Sequence, residues 1–264
     1  MKLNNSPIGI FDSGIGGTSI WKEISALLPF EDIIYLSDNK NAPYGEKSKQ
    51  EIINLSKKNT EYLLKKKCKL IVVACNTATT NAIDFLRENY PVSFIGIEPA
   101  IKPAALKTKT NIIGILATKG TLNSELFEKT SKSIKKEIII KQTIGKGLVE
   151  LIEDGKLNSN DMDKLLSHYI KPMTKENIDC LVLGCTHYPY LIPQIQKIVG
   201  DRIQIIDSGE AVAKETKAIL KSNKLLNDNT KTGEHFFLMN KNNNTLEKLL
   251  SKHADNIKII NKSF

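Results

Sequence analysis

The sequence predicts an α/β protein of two pseudo-symmetric, doubly wound domains, with parallel sheets and an active-site cleft between them. Three observations predict it. Short β-rich runs alternate with amphipathic helical patterns, which is how βαβ units are written in sequence. Several runs are apolar throughout, as in LIVVA at 70–74, which suits strands buried on both faces of a parallel sheet. The pattern also occurs twice, with polar residues at matching strand ends. The size agrees: 264 residues make one large domain or two small ones.

Residues 7–11 (PIGIF) read as the first strand, followed by a glycine-rich turn and a helix at 18–28. A second strand is expected at 32–36. Residues 49–66 place Ile52, Ile53, Leu55, Tyr62, Leu63 and Leu64 at amphipathic spacing. A strand at 70–74, a helix at 79–89 and a strand at 92–97 complete the first half. The second half has strands at 111–116, 137–140, 180–184 and 202–206, with helices at 146–153, 161–174 and 190–199. Beyond residue 211 come a helix, a strand at 235–239, a helix at 245–253 and a strand at 258–261. This tail is too short for a third domain and is expected to complete one of the sheets. The domain boundaries expected are residues 1–97 plus 212–264, and residues 98–211.

The halves can be laid over one another. Cys75 follows one apolar strand and Cys185 another, trailed by Thr77 and Thr186. Glu98 lies 23 residues beyond Cys75, and Asp207 lies 22 beyond Cys185. Going backwards, Asp12 lies 63 residues before Cys75 and Thr118 lies 67 before Cys185. One continuous sheet is the alternative arrangement.

Composition narrows the function classes. With 41% apolar and 25% charged residues the chain is an ordinary globular protein. The net charge of +9 comes from 38 basic and 29 acidic residues, but only Arg87 and Arg202 are arginines. Base readout and phosphate clamping favour arginine's bidentate fork, so a nucleic-acid partner is not expected. The cluster Lys65, Lys66, Lys67 and Lys69 reads as a solvated helix end. The apolar run 70–75 is far shorter than the roughly 20 residues of a membrane span, and no secretory leader is seen. A reducing cytoplasmic setting is expected, so Cys68, Cys75, Cys180 and Cys185 should be free thiols.

In doubly wound folds ligands sit beyond the carboxyl ends of the strands, where helix N-termini offer free N–H groups. Four segments fall there. Asp12-Ser13-Gly14-Ile15-Gly16-Gly17-Thr18 reads as a generic anion-binding loop or a tight turn, its glycines allowing positive φ and close backbone approach. It has neither the G-x-G-x-x-G order nor a P-loop lysine. In Asn41-Ala42-Pro43-Tyr44-Gly45, Pro43 stiffens the loop and Gly45 can present an N–H. Cys75 in ACNTAT at 74–79 opens a helix among hydroxyls and a carboxamide, a setting that favours a thiolate. Cys185 in GCTHYP at 184–189 has His187 two residues on, close enough in sequence to tune the thiol. A zinc site from Cys75, Cys185 and His187 is conceivable, although the spacing matches no local zinc module. Cys68 and Cys180 read as packing or surface thiols. No role is assigned to Trp21, His168, His235 or His253.

Two thiols in mirrored settings suggest a particular chemistry, in which one removes a proton from carbon while the other delivers one to the opposite face. At this point FDSGIGG at 11–17, PYG at 43–45, ACNTAT and GCTHYP together resemble the glutamate racemases. The resemblance runs from about residue 7 to 213, with the motifs in the family's order. The Pro-Tyr-Gly loop separates that family from the aspartate racemases, the nearest rival. The resemblance implies interconversion of L- and D-glutamate without pyridoxal phosphate, metal or nucleotide, with D-glutamate supplied to peptidoglycan synthesis. It implies that Cys75 takes the α-proton of D-glutamate, assisted by Asp12, and Cys185 that of L-glutamate, assisted by His187. Glu153, in LVELIEDG, matches the glutamate beside that histidine. Asp12, Ser13, Tyr44, Gly45, Asn76, Thr77, Thr121, Thr186 and His187 are then expected to hold the substrate. The chain departs from the family at Gln142-Thr143-Ile144 and at Glu150, where an Ala-Cys-Pro and a proline are usual. The tail after 213 carries no family motif, and a homodimer is permitted rather than fixed. Outside the superfamily, a two-lobed amino-acid-binding protein, a cysteine hydrolase and a zinc enzyme are the rival readings.

Overall fold

The computed structural model describes residues 3–134, 137–251 and 256–264. The chain alternates strand and helix almost throughout. The first unit contains β1 (Ile8–Asp12), α1 (Thr18–Leu27), β2 (Ile33–Ser37), α2 (Lys49–Lys65), β3 (Leu70–Val73), α3 (Asn76–Asn89) and β4 (Ser93–Gly96). Then follow α4 (Ile101–Lys107), β5 (Ile112–Ala117), α5 (Lys119–Leu122), α6 (Glu125–Lys132) and β6 (Ile139–Ile144). The second unit continues with α7 (Leu148–Glu153), α8 (Asn160–Thr174), β7 (Cys180–Gly184), α9 (Ile192–Val199) and β8 (Gln204–Ile206). The tail forms α10 (Gly209–Ser222), β9 (His235–Met239), α11 (Asn244–Leu250) and β10 (Ile257–Asn261).

These strands build two sheets, in the orders β10-β9-β2-β1-β3-β4 and β6-β5-β7-β8. Every pairing is parallel. Within each unit the first four strands follow the same flavodoxin-like order, second-first-third-fourth. The single continuous sheet is thereby excluded. The tail does complete a sheet: β9 pairs with β2, and β10 with β9.

Both faces of the strands are covered, which is why their sequences are apolar throughout. On β3, Val72 joins one apolar cluster while Ile71 and Val73 join another on the opposite face. The first of these clusters runs into the second unit, through Leu166, Leu181 and Tyr188. Helix starts follow their caps. Ser48 and Glu51 form a reciprocal capping box on α2, and Ser159 caps α8.

Four expectations are corrected. The helix expected at 79–89 begins at Asn76, because Cys75 itself caps it. The strand expected at 137–140 runs over Ile139–Ile144: it is a half-exposed edge strand, and Lys141, Gln142 and Thr143 on it disguise the pattern. Lys69 is not solvated with its neighbours. It is 5% exposed and pairs with buried Glu31 at 2.5 Å. The glycines of the 12–18 loop do not adopt positive φ, a conformation confined among the described glycines to Gly147, Gly155 and Gly200. The helix expected to reach His253 is described as far as Leu250, and His253 lies outside the described residues.

Candidate active site

The carboxyl ends of the two sheets face each other, and a cavity lies between them. Ser13, Pro43, Tyr44, Gly45, Cys75, Asn76, Thr77, Thr118, Val149, Cys185, Thr186 and His187 line it. Both cysteines are therefore present, each just beyond the third strand of its unit. The cavity leaves about 10 Å³ for a water-sized sphere, room for one water and far too little for an amino acid. Contacts across the cleft hold it shut. Thr77 Oγ1 and Thr118 Oγ1 are 2.8 Å apart, Asn81 Nδ2 donates to Gly120 O at 3.0 Å, and Ser19 Oγ donates to Thr186 O at 2.9 Å.

Cys75 sits at the N-terminus of α3. Its Sγ accepts from the Ala78 N–H at 3.5 Å and reaches Ser13 Oγ at 3.8 Å. Burial first, then the charge of Asp12, pushes its thiol well above the ordinary value. Among the described residues, the N–H groups of Asn76 and Thr77 find no protein acceptor. They give α3 two free donors at its positive dipole end, a natural seat for a carboxylate. Asn76 Oδ1 is likewise buried without a partner.

Asp12 is fully buried behind Cys75 and does not line the cavity. Its Oδ2 accepts from the N–H groups of Gly17 at 2.9 Å and Gly14 at 3.3 Å, while Oδ1 is unpartnered. Burial raises its carboxyl above the usual range, opposed by the charge of His187.

On the other wall, Cys185 Sγ lies 3.7 Å from His187 Nδ1, and His187 Nε2 lies 2.6 Å from Glu153 Oε1. Burial alone would lower the imidazole. Its hydrogen bonds to Cys185 and Glu153 outweigh that and hold it well above its ordinary value. His187 thus bridges the sulfur and the Glu153 carboxylate, and its Nε2 also lies 3.2 Å from the Gly16 N–H. Glu153 stands behind His187, outside the cavity, and its Oε1 also accepts the Ile15 N–H at 2.8 Å.

This arrangement explains the glycines of the 12–18 loop. A Cβ at Gly14 would lie 1.9 Å from Glu153 Oε1, and one at Gly16 would lie 2.2 Å from His187 Nδ1. The loop does bind an anion, but the anion is the protein's own Glu153. Gly14 and Gly16 are required by the close approach of the opposite unit, whereas at Gly17 a Cβ would meet Asp12 and Tyr35 of its own unit at 2.7 Å.

Tyr44 lines the cavity, but its hydroxyl points away, donating to Asp38 Oδ2 at 2.5 Å. Thr121 is fully buried and stands behind the wall, 3.2 Å from Thr77 Oγ1 and 3.1 Å from Thr118 Oγ1. Ser13, Gly45, Asn76, Thr77, Thr186 and His187 fall where the sequence places them, on the wall. Thr118 and Val149 are wall residues that the sequence reading misses. Thr118 is nonetheless legible, since it occupies the strand end matching Asp12. Cys68 and Cys180 are buried outside this wall, and burial pushes their thiols up to about 12 and about 11. Those are values of inert, packed cysteines. Among the described residues, no group of three His, Cys, Asp or Glu side chains is placed to hold a metal ion.

Comparison with known proteins points the same way as the geometry. A model of the Asp/Glu/Hydantoin racemase family matches residues 12–216. The chain belongs to that family. Within it, the glutamate racemase of Herpetosiphon aurantiacus is 45% identical over 231 residues, 88% of this chain and 91% of the relative. Glutamate racemase isoform RacE1 from Bacillus anthracis superposes with a TM-score of 0.88 at 32% identity, over 98% of both chains. The glutamate racemase of Francisella tularensis, solved in complex with D-glutamate, superposes with a TM-score of 0.85 at 30% identity, over 97% of this chain and 98% of that one.

Proposed function

We propose that this racemase interconverts L- and D-glutamate by passing the α-proton between two thiols, Cys75 and Cys185. The observation that carries the reading is that both cysteines, at matching strand ends of two units, line one cavity. Two-base inversion needs an acid on one side of the α-carbon and a base on the other. The glutamate racemases named above support the substrate, and the Francisella tularensis protein holds D-glutamate.

In this reading Cys185, as thiolate, removes the α-proton of L-glutamate, and Cys75 returns one to the opposite face. The reverse reaction exchanges the roles. His187 carries a proton on the Cys185 side, and Asp12 stands ready on the Cys75 side. Ser13, Asn76, Thr77, Thr118 and Thr186, with the backbone at Tyr44 and Gly45, hold the ammonium and carboxylate groups. Glu153 and Thr121 act from behind the wall as positioning residues. The α-proton is far less acidic than a thiol, so the developing carbanion must be met by fixed donors in a site without bulk water. The unfilled N–H groups at the start of α3 are such donors. No external cofactor is required by this scheme.

The cavity is too small for glutamate as it stands, so the units must part to admit it and close again. We take these units as two domains, residues 1–97 plus 212–264 and residues 98–211. No helix among the described residues is long and apolar enough to cross a membrane, and we place the reaction in the cytoplasm, where D-glutamate would serve peptidoglycan synthesis.

The test is proton NMR with L-glutamate in D₂O, alongside optical rotation. Loss of the α-proton signal as rotation decays to zero is expected. Exchange with aspartate instead would keep the mechanism and change the substrate. Exchange with neither would overturn the reading.

A further inference from the structure

Three successive asparagines, residues 242–244, form a turn after β9 that the active site leaves unused. The structure brings it to Glu153. Asn243 Nδ2 donates to Glu153 Oε2 at 2.8 Å, and Asn39 Nδ2, from the loop after β2, donates to the same oxygen at 3.1 Å. Thr245 Oγ1, two residues on from Asn243, donates to the Glu153 carbonyl at 2.9 Å. With the Ile15 N–H on Oε1, the carboxylate has three donors besides His187. All three come from the unit of the six-stranded sheet, whereas Glu153 belongs to the other unit.

The two cysteines differ in this respect. Asp12, beside Cys75, is held by Gly14 and Gly17 of its own loop. That hold does not depend on the cleft. Glu153, behind Cys185, is bonded within its own unit only by His187; its other donors all reach it across the cleft. Glu153 also has somewhere else to go: a cavity of about 670 Å³ opens beside it, lined by Asn39, Asn243 and Glu153 itself. A carboxylate hydrates readily, and without its donors it would turn into that space and leave His187.

We infer that Asn243, together with Asn39, is a positioning residue for the Cys185 half of the reaction, fixing Glu153 against His187 only when the two units are closed. This rests on the racemase reading above. It assigns a role to a part of the tail in which the sequence shows no family motif.

The chemistry of Asn243 permits a clean test. Its Oδ1 caps α11, accepting the N–H groups of Thr245 at 2.9 Å and Leu246 at 3.1 Å. Asn243→Asp keeps that cap, since aspartate caps as well as asparagine, but sets a carboxylate oxygen where the donor to Glu153 stood. Asn243→Ser also keeps a capping oxygen and simply loses the donor. Melting curves near that of the wild type are expected for both. A hydrogen bond to a charged group corresponds to about ten- to a hundredfold, so kcat/KM should fall by that factor in Asn243→Asp and less in Asn243→Ser. The fall must be equal in both directions, because one equilibrium constant links them.

The distinguishing readout is the primary isotope effect of α-deuterated substrate. If the Cys185 transfer has become slower, the effect rises for L-glutamate, which loses its proton to Cys185. It falls toward unity for D-glutamate, which loses its proton to Cys75. A general structural defect would not split the two directions. Isotope effects unchanged, or shifted alike in both directions, would overturn the positioning role. A wild-type protein that exchanges no α-proton would instead overturn the racemase reading, and this inference with it.

Discussion

Gly16→Ala places a methyl group where the structure has no room for one. Its Cβ would lie 2.2 Å from His187 Nδ1 and 2.6 Å from both Cε1 and Cγ. Nonbonded heavy atoms settle at about 3.5 Å, so the ring must retreat by about 1 Å. The backbone raises no objection, because Gly16 is not at positive φ. Nor can the loop recede: the neighbouring Ile15 and Gly17 N–H groups are tied to Glu153 at 2.8 Å and to Asp12 at 2.9 Å. The imidazole therefore moves, and its contacts to Cys185 at 3.7 Å and Glu153 at 2.6 Å are lost together. Misplacing a catalytic group by about 1 Å costs on the order of a hundredfold in rate. Overpacking itself destabilises by roughly 1–3 kcal/mol, part of which is relieved if the two units stand further apart. The assay is the racemisation rate by circular dichroism, on protein whose melting curve shows it folded. A second measurement isolates the cause. In a His187→Ala background the methyl group meets no ring, so Gly16→Ala should add little to the loss already present. Wild-type turnover in the single variant, or full additivity in the double, would refute the reasoning.

The remaining predictions concern the thiols, a carboxylate and the core. Cys75→Ser and Cys185→Ser should each lower net racemisation by roughly 10²–10⁴-fold, read by optical rotation; near-normal turnover in either would end the two-thiol scheme. Asp12 has a raised native pKa, so its contribution to stability is fully present below the unfolded value near 3.8 and is lost as pH rises through the native value. Asp12→Asn should therefore gain stability relative to wild type as pH rises through that range in urea titrations, while losing activity; a difference flat with pH would contradict the burial account. Lys69→Met leaves Glu31 buried and without its 2.5 Å partner. It should destabilise by about 3–5 kcal/mol in denaturant titrations with turnover per folded molecule unchanged.

Much of this protein is legible from its sequence, for a physical reason that applies residue by residue. Parallel strands covered on both faces must be apolar throughout, so LIVVA at 70–74 and CLVLG at 180–184 announce themselves. The strand ends stand out because a cysteine stands where each of these two apolar runs ends. Where a strand lies at a half-exposed edge, as Ile139–Ile144 does, the pattern weakens and the reading stops short. Lys69 is misread because its charge is answered by Glu31, 38 residues earlier, and no local pattern encodes that partner.

The sequence by itself determined the alternation of elements, the duplication, the two thiols and the histidine beside one of them. Each of those is carried by neighbours in the chain. Only the tertiary structure decided that Gly14 and Gly16 make way for Glu153 and His187, and that Tyr44 turns its hydroxyl out of the site. It also decided that Asn39 and Asn243, 114 and 90 residues from Glu153, meet on one carboxylate oxygen. Periodicity tells which face of an element is buried. What stands opposite that face depends on how two sheets close upon each other, and there the donors, the ring and the carboxylate come from different parts of the chain.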